Sequence, residues 1–328
     1  MKNTPTFLIT GGTGFIGRKL VEALVKRNEY VRVLGRRPVV RWRGNDAIEH
    51  VRADITEPNV IEAAVDGVRC VFHLLAATSG DRNNYHRVTV EGSQRLLSAV
   101  RARGGGRVIF VSSLSVYDSR AMFNGVLVDE NFPLDTNGAA RGPYAYSKTK
   151  ADLAAQQYLD DPLVKLTIVR PGVVYGERMK NPLNGAAISL RNRFWVSLGS
   201  RRRVLPLIFL RDLVNALLLV ADDDASIGQI YNLIGAECPS GDEYISCYKK
   251  VSRDRRPHLN FPLRTFLPVF WTFDKLLYMA GRPSAFVSMA NRLSQRVRYS
   301  AEKAQRELGV HAATKYDEGL REIWRQGA

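Results

Sequence analysis

Tyr144 and Lys148 stand four residues apart in a stretch that reads as helical from Ala145 to Leu159, which sets both side chains on one face, one turn apart. A tyrosine hydroxyl ordinarily ionises near pH ~10. An ammonium beside it favours the phenolate and brings that ionisation towards neutrality, which suits a group that exchanges a proton with a substrate hydroxyl. The plainer reading of the same spacing is a surface helix with a solvated lysine. Tyr146 lies two residues on, faces elsewhere, and is the poorer candidate. A second constellation opens the chain: Thr10-Gly11-Gly12-Thr13-Gly14-Phe15-Ile16-Gly17. A tight turn needs Gly11 or Gly12, close backbone approach to a pyrophosphate needs Gly14, and Gly17 lets the helix pack against a sheet. Free N–H groups at the helix start would then point at the phosphates.

The elements that must position these groups are legible as alternation. Strand-like runs are Thr6–Thr10, Tyr30–Leu34, Ile48–Ala53, Cys70–Leu75, Arg107–Ser112 and Leu166–Val169. Helical patterns fall near Ile16–Arg27, Glu57–Val65, Val88–Ala102 and Ala145–Leu159, and Gly104-Gly105-Gly106 reads as a loop before a strand. Such alternation predicts an α/β fold, a doubly wound parallel sheet with helices on both faces. After Pro171-Gly172 the rhythm changes: 177–206 reads as irregular and Arg-rich, followed by a helix at Leu213–Ala221 and a strand at Gln229–Leu233. Beyond Pro239 the chain reads as mostly helical, with amphipathic helices near Ser300–Leu308 and Tyr316–Trp324. The expected division is a dinucleotide-binding domain over 1–176 and a smaller, mixed, mainly helical substrate lobe over 177–328, with parts of 207–235 returning to the first.

Several further segments occur in order with the glycine turn: Ala53-Asp54-Ile55-Thr56, Val71-Phe72-His73-Leu74-Leu75-Ala76-Ala77, Val90-Glu91-Gly92-Ser93, Phe110-Val111-Ser112-Ser113, Tyr144-Ala145-Tyr146-Ser147-Lys148, Arg170-Pro171-Gly172-Val173-Val174-Tyr175-Gly176 and Lys303-Ala304-Gln305-Arg306-Glu307-Leu308-Gly309. In these motifs the chain resembles, over essentially its whole length, the extended short-chain dehydrogenase/reductases, the NAD(P)-dependent epimerase/dehydratase family. The resemblance implies a Rossmann fold and an oxidoreductase, or an epimerase or dehydratase that recycles its hydride internally, acting on a hydroxyl or ketone of a sugar-, sterol- or other alcohol-type substrate. It implies Ser113, Tyr144 and Lys148 as the catalytic set, with Ser113 on the reacting oxygen and Lys148 also on the nicotinamide ribose. Cofactor contacts implied are Gly11, Thr13, Gly14, Phe15, Ile16, Gly17, Asp54 (at the adenine), Ile55, Leu75, Ala76, Ala77, Tyr144, Lys148, Pro171 and Val173. Four positions depart from the pattern: Thr89 stands where many relatives carry Asn, Val173 where nucleotide-sugar enzymes often have Asn, and the pair Leu205-Pro206 where they often have Arg-Asp. Val173 and the pair weaken a nucleotide-sugar reading. The apolar segment 261–280 followed by Arg282-Pro283 is more similar to the sterol/steroid dehydrogenase-like branch.

An NAD enzyme usually carries an acid at the end of its second strand for the ribose 2′-hydroxyl. Here that place reads Leu34-Gly35-Arg36-Arg37. Guanidinium groups at Arg36 and Arg37 complement a 2′-phosphate, so the expected cofactor is NADP, with NAD second; solvated loop arginines are the alternative.

The 328 residues are 45% hydrophobic and 24% charged, which excludes collagen-like, coiled-coil and wholly disordered chains. Forty-eight Lys and Arg against 32 Asp and Glu give a net charge of +16, a surface that attracts anions but names no partner. No nucleic-acid module signature is present, and no specific nucleic acid is expected. Cys70, Cys238 and Cys247 are scattered, His73 reads as packed at a strand end, and no metal site is expected. A reducing cytosol is the expected compartment, since the start lacks a signal-peptide pattern and no run approaches a membrane span. The aromatic segment 261–280 reads as a greasy helix over the pocket, with peripheral membrane contact as its alternative. It is expected, with 177–206, to wall the substrate pocket. The partners expected are a small-molecule substrate and a second copy of the chain. A different class of function, a non-catalytic nucleotide-sensing or RNA-binding member of the fold, fits the basic charge; joint retention of Ser113, Tyr144 and Lys148 favours the enzyme.

Overall fold

The computed structural model describes residues 6–36, 42, 44–57, 59–136, 142–179, 181, 183, 185–279 and 286–325. Seven strands form the central sheet: β1 (Phe7–Thr10), β2 (Val31–Leu34), β3 (Ile48–Val51), β4 (Cys70–His73), β5 (Gly106–Val111), β6 (Val164–Pro171) and β7 (Ile230–Leu233). Their spatial order is β3-β2-β1-β4-β5-β6-β7 and every pairing is parallel. The order reverses between β1 and β4, the place where a doubly wound sheet opens a crevice at its carboxyl edge.

Both faces of the sheet are buried, which explains near-continuous apolar strands without strict alternation. Phe7, Ile9, Val33 and Phe72 face α1 (Phe15–Lys26), while Leu8, Leu34, Val71 and Phe110 face α2 (Val60–Val65), α3 (Gly92–Ala102) and α4 (Pro143–Gln156). Helix α5 (Leu210–Asp222) joins the α1 side through Leu213 and Leu217, and β7 adds an edge beside β6. The doubly wound sheet is therefore the fold the alternation predicts.

Beyond the sheet lie α6 (Gly241–Ser252), α7 (Leu267–Met279), α8 (Phe286–Ser294), α9 (Glu302–Leu308) and α10 (Tyr316–Arg325). A capping box starts α6, with Ser240 accepting from the Glu243 N–H and Glu243 accepting from the Ser240 N–H. Here the sequence reading needs correction. The stretch 177–206 is not irregular throughout, because Ile188–Leu190 and Phe194–Leu198 form an antiparallel pair, joined in parallel by His258–Phe261. Their turn hid the hairpin: Arg191 and Asn192 take φ of 47° and 56°, positions where glycine is the usual signal. Gly106 also belongs to β5 rather than to the loop before it. Gly105 is held to glycine by φ 96° and because a Cβ there would collide with the Leu163 carbonyl.

Candidate active site

The glycine turn joins β1 to α1. Gly11 takes φ 75° and its carbonyl accepts the Gly14 N–H at 2.9 Å. Gly14 caps α1 in extended conformation without a side-chain cap, which leaves first-turn N–H groups free for an anion. A Cβ on Gly17 would come within 2.5 Å of Gly12 Cα, and one on Gly12 within 2.7 Å of Val33 Cγ1. Gly17 is thus required by the turn itself, rather than by the sheet as read from sequence. Gly14 differs. A Cβ there would meet only the Gly11 carbonyl, at 3.1 Å, and would otherwise project into open space. The Gly11 carbonyl alone crowds this position and the space beyond it is open, so the cradle fits a phosphate group.

The turn opens a cleft of about 1010 Å³ along the carboxyl ends of the strands. Gly11, Thr13, Gly14, Phe15, Ile16 and Gly17 line one end, with Arg36, Asp54 and Ile55 beside them. Leu75, Ala76 and Ala77 follow β4 along the floor, and Pro171 and Val173 close the far side with Ser113, Tyr144 and Lys148. Arg36 is 76% exposed and lies 3.8 Å from Asp54, whose other oxygen holds Thr56. Arg37, Arg282 and Pro283 lie outside the described residues.

Ser113 leaves β5 in extended conformation and accepts the Ser115 N–H at 3.1 Å. Tyr144 sits in the first turn of α4, after Pro143, and the Ser113 hydroxyl hydrogen-bonds with it. Burial raises the Tyr144 hydroxyl above its ordinary value, nearby Tyr85 adds to that, and Ser113 opposes it. Lys148 is expected to lower this group; its Nζ donates one of three N–H groups to the Val111 carbonyl at 2.8 Å and keeps its charge. Burial brings Lys148 itself down to about 8, against the pull of Asp152. Tyr146 points away from the cleft, under the Lys150 ammonium.

Behind this set lies a buried network that sequence reasoning passed over. One turn after Lys148, Asp152 pairs with Arg170 through Nη2 at 2.7 Å and Nε at 3.0 Å. Both are at most 1% exposed. Ser112 donates to Asp152, Arg170 donates to the Tyr117 hydroxyl, and Tyr117 donates to Asn232 on β7. The network ties α4 to β5, β6 and β7. Only the i, i+4 spacing of Lys148 and Asp152 hinted at it.

His73 is packed, as its place at a strand end implied. Thr10 Oγ1 lies 2.7 Å from Nδ1 and Ser93 Oγ 2.9 Å from Nε2, and burial lowers the ring to about 3, so it is neutral. Ser93 donates to the Thr89 carbonyl, which fixes Nε2 as the protonated nitrogen. Thr89 lies in a π-helical turn and accepts the Ala77 N–H at 3.0 Å, holding the floor of the cleft.

At the open end, Gly185, Arg203 and Val204 line the cleft, as expected of part of 177–206. The segment 261–280 does not: among its described residues none lines the cleft, and α8 with the residues after it takes that place through Arg292, Leu293, Gln295 and Tyr299. The aromatic run packs against the outer side of α8, Phe270 stacking on Phe286 at 6.0 Å. Arg203 and Arg292 were not foreseen. Burial lowers both, each is felt near Tyr299, and among the described residues neither forms an ion pair.

Comparison with known proteins places this geometry. Residues 7–233 match the NAD dependent epimerase/dehydratase family. The 2-alkyl-3-oxoalkanoate reductase of Stenotrophomonas maltophilia is 26% identical, covering 96% of this chain and 97% of that one. The 3 beta-hydroxysteroid dehydrogenase/Delta 5-->4-isomerase of Mycobacterium tuberculosis is also 26% identical, covering 96% and 88%. A solved UDP-glucuronic acid 4-epimerase from Bacillus cereus in complex with NAD superposes with a TM-score of 0.75 at 18% identity, covering 98% of both chains. That last likeness shows the shared fold.

Proposed function

The chain belongs to the NAD dependent epimerase/dehydratase family, and from that premise we propose that it is an NADP(H)-dependent reductase or dehydrogenase of a ketone or alcohol that bears an anionic group. One observation carries the reading: Ser113, Tyr144 and Lys148 meet at one end of a cleft whose other end is the glycine turn. NADPH, which the glycine turn and the cleft floor would hold, would supply the hydride for the substrate carbonyl. The chain's own part is to hold and protonate the oxygen. Ser113 and the Tyr144 hydroxyl bracket that oxygen, and Tyr144 gives its proton as the alkoxide develops. Lys148 keeps its charge beside the ribose side of the cleft, and the Asp152–Arg170 pair fixes the helix that presents both residues. The glycine turn holds pyrophosphate, and Arg36, the described member of the basic pair after β2, favours a 2′-phosphate over a hydroxyl. Adenine contact falls to Asp54 and Ile55, and the nicotinamide side to Leu75, Ala76, Ala77, Pro171 and Val173.

Arg203 and Arg292 support the substrate class, since two partly desolvated guanidinium groups that line the cleft and form no salt bridge among the described residues, Asp135 being only near Arg292, suit an incoming carboxylate. The acid named in the Stenotrophomonas maltophilia relative has that character. We further assign the dinucleotide to residues 1–176 with parts of 207–235, and the substrate to the rest. The three thiols are free, which agrees with a cytoplasmic setting, and part of 261–280 is assigned a peripheral membrane contact. Turnover on paired ketones, a 3-oxoalkanoate and its uncharged ester, tests the proposal. NADPH should serve better than NADH. Arg292→Ala should lower kcat/KM on the acid by about 10–100-fold, the loss of one charged hydrogen bond, and leave the ester little changed. Equal loss on both, or no preference for NADPH, would refute the corresponding part.

A further inference from the structure

The outer face of the small sheet is apolar. Register sets Ile188 and Leu259 on either side of Val196, Leu190 beside Phe194, and Leu198 beside Phe261. Alternation turns Trp195 and Ser197 to the other side, where they are buried. A sheet with one face to water should be polar there. Instead Ile188 is 57% exposed, Leu190 49%, Phe261 45% and Leu259 42%. From Phe261 the chain passes through a single turn, Leu263–Phe266, into α7. Leu267, Phe270, Asp274 and Leu277 are the half-buried positions of that helix. Val269, Trp271, Phe273, Leu276 and Met279 all stand exposed.

Exposed apolar surface of this extent marks an interaction site, and its charge names the partner. Residues 185–203 and 253–279 carry ten Lys and Arg against two Asp; setting aside Arg203 in the cleft, Arg201 near Asp242 and Arg256 paired with Asp254, seven cations remain. Both aspartates are engaged: Asp254 by Arg256 and Trp195, Asp274 by the Phe286 and Val287 N–H groups. A second copy placed here by two-fold symmetry would set cation against cation. A bilayer with anionic headgroups meets both demands, taking Trp271 and its neighbours into the interface and the arginines against phosphate. We propose that the outer sheet face and α7 together dock on an anionic membrane surface. Helix α8, which packs on α7, lines the cleft with Arg292 and Leu293, so a bilayer-dissolved substrate would enter one helix away. The docking deepens the membrane contact proposed for 261–280, and the substrate's route rests on the proposed reaction.

Co-sedimentation of the full chain with vesicles of phosphatidylcholine alone, or with one-third phosphatidylglycerol, tests it. The protein should pellet with the anionic vesicles, less so as salt is raised. Trp271→Glu/Leu276→Glu and Ile188→Glu/Leu259→Glu should each weaken partition about ten-fold or more while keeping the wild-type thermal unfolding. No pelleting at low salt, or unchanged pelleting of both variants, would overturn the proposal. So would a dimer that the same substitutions dissolve, which would assign the face to a second copy. None of these outcomes bears on cofactor binding or turnover, so failure here stays separate from failure of the proposed reaction.

Discussion

Tyr144→Phe should lower turnover by about 10²–10⁴-fold while cofactor affinity stays near the wild-type value. The ring keeps its packing at the start of α4, and only the hydroxyl that hydrogen-bonds with Ser113 is lost. The pH dependence carries a sign. Burial holds the Tyr144 proton on and brings the Lys148 ammonium down to about 8. For reduction, Tyr144 must be protonated and Lys148 charged, so kcat/KM should be full below that value and fall as pH rises through it. Steady-state rates with NADPH across pH, for wild type and Tyr144→Phe, give both quantities. Full turnover in the variant would remove Tyr144 from the chemistry.

The second large effect is on stability. Asp152→Ala leaves the Arg170 guanidinium buried, 1% exposed, without its counter-charge. Breaking such a pair costs roughly 3–5 kcal/mol, which lowers Tm by on the order of 10 °C in a chain of this size. Replacing both partners, as Asp152→Leu/Arg170→Met, removes the stranded charge and should be less damaging than the single changes Asp152→Leu and Arg170→Met summed. Thermal unfolding of the three variants decides it. A double variant as unstable as that sum would mean that the two side chains are not coupled and that the pair adds nothing as a pair.

What was legible in sequence follows from how local each signal is. The parallel strands bury both faces, so runs such as Phe7–Ile9 and Val108–Val111 announce themselves whatever their neighbours are. The glycine turn and the Tyr144/Lys148 spacing lie within a few residues each, and the cleft brings them together with Ser113. Partnerships between distant segments were not legible. Asp152 and Arg170 are 18 residues apart and meet only through the packing of α4 on the sheet. Arg203 and Arg292 meet only once α8 has folded over the cleft mouth. The hairpin at 188–198 was hidden because Arg191 holds a positive φ where a glycine would have marked the turn. The aromatic segment 261–280 misled for a related reason: apolar content cannot say whether a helix faces a pocket or lies on the outside. Lys148 shows the same limit in chemistry, since its spacing from Tyr144 could not disclose that the Val111 carbonyl holds its ammonium.

The central claim is that the cleft holds a nicotinamide dinucleotide with its phosphates on the glycine turn. Calorimetric titration of NADPH into wild type and Gly14→Val tests it most directly. Wild type should bind at one site per chain. Gly14→Val should lose that binding and stay folded with at most a modest drop in unfolding temperature, because the added side chain crowds only the Gly11 carbonyl and projects towards the phosphates. Equal affinity in the two proteins, with both folded, would contradict the account.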